Sequence, residues 1–342
     1  MQRVLFYEVA EEWLDIATIG VSFTWKKQLG SNVSHLNKHI GQKCITEITS
    51  FDIEAIIKKL YTYNPNTKKP ASKRLLKAIS QTASRIFEYA IEKNYITRNP
   101  AAKSSKKIPK DAPVQIIEAL SEKQIEIVTK FECKTKIAAI IMAFLGLRTG
   151  ELLALQWSDF DFNNGTVSIN KRCSRISSNV FAVKNGTKNG KKRTLPIPSS
   201  IQGWLENQWL HSSTGLVFPN IDGKLHTPTT WRDCWTTYQN NLNYYVYSEW
   251  CYKKGINPKS KFSPNGIPDM NIRFNPHQLR HTFATMLYLS KVDVLTAKEL
   301  MGHCDIETTL GIYTHLREKF KKLNILQFDE YIQKELLKVS SL

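Results

Sequence analysis

The chain has 342 residues, 42% of them hydrophobic, which is long enough for two cores and too apolar for a disordered tract. Its 48 Lys and Arg against 30 Asp and Glu leave a net charge of +18, an excess that answers a polyanion, with nucleic acid ahead of anionic membrane. No run of about 18 apolar residues is present to span a bilayer; the opening MQRVLFYEVAEEW places acids inside its apolar run and is no secretory signal; and six scattered cysteines without a C-x-x-C pair exclude a disulfide frame or zinc site and fit reduced, cytoplasmic thiols.

The first hundred residues carry helical periodicity. Leu5, Phe6, Val9, Ala10, Trp13 and Leu14 form one apolar stripe. Ile53, Ile56, Ile57 and Leu60 form a second, behind a Thr49–Asp52 capping box. Leu75, Leu76, Ile79, Ala83, Ile86, Phe87, Ala90 and Ile91 form a third, which stops before the breaker pair Asn99–Pro100. Lys68, Lys69, Lys73, Arg74 and Lys77 precede or flank that third stripe, either as a solvated face or as one that contacts phosphates. Residues 101–113, AAKSSKKIPKDAP, have linker composition, and their Lys106, Lys107 and Lys110 suit a duplex backbone.

The second half opens on a Ser121–Gln124 capping box feeding Ile125, Val128 and Phe131. The very apolar IAAIIMAFLGL follows as a buried helix, with Arg148 immediately after it. The period then changes. FDFNNGTVSIN, with its Asn-Gly turn and β-branched alternation, predicts strands. FAVKNGTKNGKKRTLPIP predicts a hairpin with a long basic tip. Helical patterns resume near Ile201 and again from 277 to the end. Residues 242–274 are aromatic and carry lysines and prolines without a clear period, which predicts a long surface loop or insertion.

Residues 275–287, NPHQLRHTFATML, crowd His277, Arg280 and His281 into five positions. On a helix they share one face, because residues three and four apart are neighbours. A metal site on the two histidines lacks the glutamate of H-E-x-x-H, and Arg280 on the same face would repel a cation. A solvated face fits poorly with Leu279, Phe283, Ala284 and Leu287 around it, although either histidine alone would pass as a satisfied core residue. An anion accounts for the whole set: arginine offers a planar fork for two phosphate oxygens, and histidine adds a hydrogen bond and exchanges a proton near neutral pH. Arg148, in LRTGELLALQW, is a second arginine in an apolar setting, where a charge is either paired, with Glu151 or Asp159, or used.

Four blocks, GLRTGELLALQWSDFD at 146–161, TKNGKKRTLPIP at 187–198, HQLRHTFAT at 277–285 and LMGHCDIETTLGIYTH at 300–315, together resemble a tyrosine recombinase of the phage or mobile-element integrase type. One block would mean little; four in order carry the resemblance through the second half. Residue by residue, it implies that Arg148 is the first catalytic arginine, that Lys188 in the hairpin tip is the catalytic lysine (with Lys184 as its rival if the hairpin register differs), that His277 and Arg280 are the H-x-x-R pair, that His303 fills the His-or-Trp position, and that Tyr313 is the nucleophile. Taken alone, Tyr313 would read as helix packing and Lys188 as a solvated loop residue. Lys191, Lys192 and Arg193 in the same tip join the expected DNA contacts.

The resemblance implies a mainly α fold with a small antiparallel β-sheet (α+β). Its expected parts are a helical core-type DNA-binding domain over 1–100, a basic linker over 101–113, a catalytic domain over 114–322, and a tail helix over 323–342 that docks on a neighbouring protomer or folds back on its own domain. It further implies a site-specific recombinase that integrates or excises a phage or mobile element. That enzyme would cleave and rejoin DNA through a 3′-phosphotyrosine, with no cofactor, no metal and no ATP. The expected partners are double-stranded DNA at attachment-type sites, further copies in a tetramer on synapsed DNA (a monomer when free), and accessory DNA-bending proteins, with no membrane. Two readings of other classes stay open: a type IB topoisomerase that only relaxes supercoils, and a DNA-binding module that only grips phosphate. The chain departs from the pattern in showing no small amino-terminal domain for arm sites and in the length of 242–274.

Overall fold

The computed structural model describes residues 3–114, 117–186, 192–263, 265–319 and 321–332. The chain divides into two units, Met1–Ile116 with Arg175–Ser177, and Ile117–Ser174 with Ser178–Leu342.

The first unit is a helical bundle: α1 (Phe6–Ala17), α2 (Phe23–Ile40), α3 (Ser50–Thr62) and α4 (Lys73–Glu92). The expected capping box starts α3, with the Asp52 carboxylate accepting from Thr49 N at 2.9 Å. The three apolar stripes meet in one core, where the Phe6 and Phe87 rings lie 5.5 Å apart. Helix α2 escaped the periodicity argument because its buried face includes Asn32 and His35. Asn32 instead donates to Thr82 of α4 at 3.0 Å, a buried polar bond that a hydropathy pattern does not register.

Residues 101–113, expected as a linker, pack on this unit at several points. Ala101, Ser104 and Ala112 are buried, and Ser104 sits in a 3₁₀ turn whose hydroxyl is 2.6 Å from that of Ser80 on α4. Lys73 N bonds Pro113 O at 2.8 Å, and Tyr61 donates to Asp111 at 2.6 Å. Small residues that suggest flexibility in a composition here permit close approach to a helix. Two of the expected DNA-contact lysines have partners inside this unit: Lys73 Nζ donates to Lys110 O at 3.1 Å, and Lys107 pairs with Glu54 at 3.3 Å. Lys68, Lys69, Arg74, Lys77, Lys106 and Lys110 are exposed.

The second unit is built on α6 (Lys136–Phe144), buried along almost its whole length and packed against α10 (Pro276–Leu289). The expected Ser121–Gln124 box caps α5 (Glu122–Lys130), with Ser121 N bonding Gln124 Oε1 at 2.9 Å. Helix α7 (Thr149–Ala154) leads to a small antiparallel sheet in the order β1 (Phe160–Asp161), β2 (Thr166–Ile169), β5 (Arg193–Pro196). Here the hairpin expectation is corrected. Strand β4 (Phe181–Asn185) pairs with β3 (Lys171–Arg175), while β5 pairs with β2 in the register Val167↔Leu195 and Ile169↔Arg193. The buried Val167 and Leu195 supply the reason, since that register puts apolar partners on the core face. α8 (Ser199–Leu210) follows. The fold is therefore mainly α with small antiparallel sheets.

The loop that composition predicted over 242–274 is overturned only in its first part: residues 242–253 are helical, and the described residues from 254 to 274 form no regular helix or strand. Helix α9 runs from Pro228 to Lys253, and the chain returns along it. A row of α9 side chains spaced four apart holds that return: Trp235 Nε1 donates to Phe274 O (3.2 Å), Gln239 Oε1 accepts from Phe274 N (2.8 Å), Asn243 bonds Pro268 O (3.0 Å) and Met270 N (2.8 Å), and Tyr247 Oη accepts from Lys259 N (3.1 Å). A helix face that binds main chain through amides and hydroxyls has helical spacing but no apolar stripe, so the period stays hidden.

The described residues end in α11 (Val294–Met301), α12 (Ile306–Lys319) and α13 (Lys321–Tyr331). On α13, Ile325, Leu326, Phe328 and Tyr331 are all more than half exposed.

Candidate active site

Helix α11 is short, and its last carbonyls have no intrahelical donor. Three arginines from three elements take them in sequence. Arg193, at the start of β5, donates from Nε to Leu300 O at 3.2 Å. Arg280, on α10, donates to Met301 O and to Gly146 O. Arg148, the N-cap of α7, donates from Nη2 to Gly302 O at 2.9 Å. A helix C-terminus carries partial negative charge, so it draws guanidinium groups electrostatically as well as by hydrogen bonding. Gly302 makes this turn possible: its φ of 60° is left-handed, and a Cβ there would meet Arg193 Nη1 at 2.8 Å.

Beneath the arginines lies Glu151, only 2% exposed. Its carboxylate accepts from Arg148 N and Nη1, both at 3.0 Å, and from Arg193 Nη1 at 3.1 Å and Nη2 at 2.8 Å. Burial would raise this carboxyl, but the hydrogen bonds and charge of Arg193, and then those of Arg148, outweigh it and hold the pKa down to about 2. The pairing of Arg148 with Glu151 foreseen from sequence is thus present, while Asp159 pairs with Lys171 at 2.6 Å. Pairing and use are compatible, because a guanidinium has five N–H groups.

The two histidines lie within reach of the arginines' charge. His277 stands at the exposed N-terminal turn of α10, capped by Asn275; partial desolvation, then Arg280 and Arg148, lower its pKa. His303 follows Gly302, with Nδ1 2.8 Å from the hydroxyl of the buried Thr309. Burial, then the charges of Arg280, Arg148 and Arg193, push its pKa down to about 4, so its ring is neutral at pH 7. Arg280 is itself pulled down to about 9 by burial and by Arg148 beside it. These mutual effects mark Arg148, Arg193, Arg280, His277 and His303 as one electrostatic group.

Tyr313 is placed differently. It lies on α12 with Oη donating to Val292 O at 3.1 Å and its ring edge-on to Tyr288, centroids 5.2 Å apart. Burial, then Asp293, push its phenol up to about 12. Among the described residues, the contacts of Tyr313 run to Val292, Tyr288 and Asp293 rather than to the arginines. Lys188 and Lys191 fall outside the described residues, whereas Lys192 and the rival Lys184 are exposed. Arg193, expected to contact DNA, is corrected: its side chain is 10% exposed and turned onto Glu151. Sequence reasoning passed over Glu151 as more than a counter-ion, although the R-x-x-E spacing across a helix start was legible. It had no means of finding the three carbonyls.

Comparison with known proteins identifies the family and the fold. The family model described as the phage integrase family matches residues 106–319, and that of the phage integrase central domain matches residues 6–107. Among curated relatives, an integrase of Staphylococcus phage L54a is 26% identical over 94% of this chain and 92% of its own. A XerC-like tyrosine recombinase of Caldanaerobacter subterraneus subsp. tengcongensis is 28% identical over 81% of this chain and 70% of its own. Among solved structures, the Tn1549 transposon integrase in complex with transposon right-end DNA superposes with a TM-score of 0.69 at 16% identity, covering 94% of this chain and all of that one. A λ integrase dimer bound to a core site gives 0.59 at 18% identity, covering 89% and 96%.

Proposed function

This chain belongs to the phage integrase family of tyrosine recombinases, and from that premise we propose that it cleaves and rejoins DNA at specific sites through a 3′-phosphotyrosine on Tyr313. The observation that carries the reading is that Arg148 and Arg280 lie close enough to both His277 and His303 for their charges to act on each ring. Each arginine spends part of its N–H set on carbonyls or Glu151 and keeps the rest for the non-bridging oxygens of the scissile phosphate. The five-coordinate transition state concentrates negative charge on those oxygens, and preset donors stabilise it without reorganising. His303 is neutral; with Nδ1 accepting from Thr309, its Nε2–H adds a donor. His277, at the rim, accepts or relays the tyrosine proton, and Lys188 protonates the leaving 5′-oxygen. With two guanidiniums countering the charge, the step calls for no metal ion, and the phosphotyrosine conserves bond energy so that no ATP is spent.

The raised phenol of Tyr313 belongs to a resting arrangement. Attack requires α12 to release the Val292 bond and carry the hydroxyl to the arginines, whose charge would favour the phenolate. The exposed apolar residues of α13 support docking on a neighbouring protomer as the event that accompanies this release, within a tetramer on synapsed DNA. The domain boundaries, a core-binding unit followed by a catalytic unit, form part of the same proposal.

The test is adduct formation on a nicked duplex carrying the attachment site, followed by joining of two distinct sites. Tyr313→Phe is expected to keep DNA affinity and form no covalent adduct. An adduct from that variant removes Tyr313 as nucleophile, and relaxation of plasmid without joining of two sites replaces recombinase by topoisomerase.

A further inference from the structure

We propose that Arg193 is a positioning residue for the cleavage step: by saturating Glu151 it stops that carboxylate from capturing Arg148, and so presents Arg148 to the scissile phosphate without touching DNA itself. The inference rests on the phosphotyrosine reading above and adds a residue to it.

The geometry is a competition for one carboxylate. Glu151 has room for about four acceptor bonds, and four are made, two from each arginine. Arg148 spends one of its two on its main-chain N–H, so its guanidinium reaches Glu151 through Nη1 alone. Arg193 takes the other two places with a two-pronged bond at 3.1 and 2.8 Å, the stronger geometry for an arginine and a carboxylate. Without Arg193, Glu151 would be a buried carboxylate with two vacant sites, with Arg148 still hydrogen-bonded to it and Arg280 acting on it by charge. Arg148 would then turn to fill them, using the N–H groups that otherwise face the phosphate. Arg193 is itself pinned by Leu300 O and by the bare Cα of Gly302, whose own carbonyl holds Arg148.

The experiment measures the rate of adduct formation on the nicked duplex, together with DNA affinity as a function of salt, for wild type, Arg193→Ala, and Arg193→Ala combined with Glu151→Gln. Arg193→Ala is expected to slow the adduct by about 100-fold, the cost of one misplaced transition-state donor. The salt dependence should stay unchanged, because no phosphate contact is lost. The double variant should recover at least about fivefold over Arg193→Ala, since a neutral amide no longer holds Arg148. A purely structural role would give no such recovery. If Arg193→Ala fails to fold, Arg193→Lys, which keeps the charge but lacks the fork, takes its place in the same comparison. A rate equal to wild type, a salt slope reduced by about one phosphate contact (~0.9), or a double variant no faster than the single one would each overturn the inference. Absence of any adduct from wild type would instead overturn the phosphotyrosine reading on which it stands.

Discussion

The carbonyl turn that gathers the three arginines and the tyrosine helix are neighbours in sequence and opposites in construction. The carbonyls of Leu300, Met301 and Gly302 each receive an arginine, and Glu151 beneath them is bonded four times. A dozen residues on, Tyr313 is held by one hydrogen bond to Val292 and one edge-on ring. An over-determined cluster is suited to stabilising a transition state it must not rearrange for. A singly tethered side chain is suited to being delivered. On the proposed mechanism, the difference separates what is built in advance from what must move, and it would put the control of cleavage in α12.

The predictions sharpen or break that contrast, beginning with the largest effect. Arg280→Ala removes the most buried of the three arginines and is expected to slow adduct formation by about 10³-fold with a much smaller loss of DNA affinity; comparable losses in both would make Arg280 a general phosphate grip. Glu151→Gln is expected to destabilise the chain to chemical denaturation by about 3 kcal/mol at pH 7, because it removes the buried charge that two half-buried arginines share. The acid dependence should move with it. Glu151 has a folded-state pKa of about 2 against an ordinary 4.5, so its contribution is complete above about 4.5 and is lost as pH falls towards 2; the variant should lack that portion of the acid transition.

Gly302→Ala meets both the left-handed φ of 60° and the Arg193 guanidinium. It should cost about 1–2 kcal/mol of stability and slow cleavage alongside, because the arginines share that turn. The smallest effect has the opposite sign. Tyr288→Leu removes the edge-on partner of Tyr313 and is expected to speed adduct formation by about threefold, in line with the modest worth of one aromatic pair. A slower rate would mean that Tyr288 supports the reactive position rather than the resting one.

What could be read from sequence follows the same division. Arg148, His277, Arg280 and His303 were legible because each is a distinctive side chain in a spaced motif, and the fold draws them into one electrostatic group. The apolar stripes of α1, α3 and α4 and both capping boxes were legible because burial and capping write directly into residue type. The remainder was hidden where main chain does the binding. The α11 carbonyls have no letter of their own, and the α9 row of Trp235, Gln239, Asn243 and Tyr247 serves backbone atoms. Helix α2 hides a face containing Asn32 and His35, and the partner of β5 depends on which strand matches its buried Leu195. The small residues of 101–113 have the composition of a linker, yet Ala101, Ser104 and Ala112 are buried. The contacts of Tyr313 with Val292 and Tyr288 were beyond reach, since a sequence motif names a residue and not what it packs against.

The most direct test of the account is to trap the covalent complex on a nicked attachment-site duplex, digest the DNA and protein, and locate the nucleotide-bearing peptide by mass spectrometry. The account predicts a single modified peptide from α12 with the phosphonucleotide on Tyr313; modification at any other residue, or none under conditions where the DNA is cleaved, would contradict it.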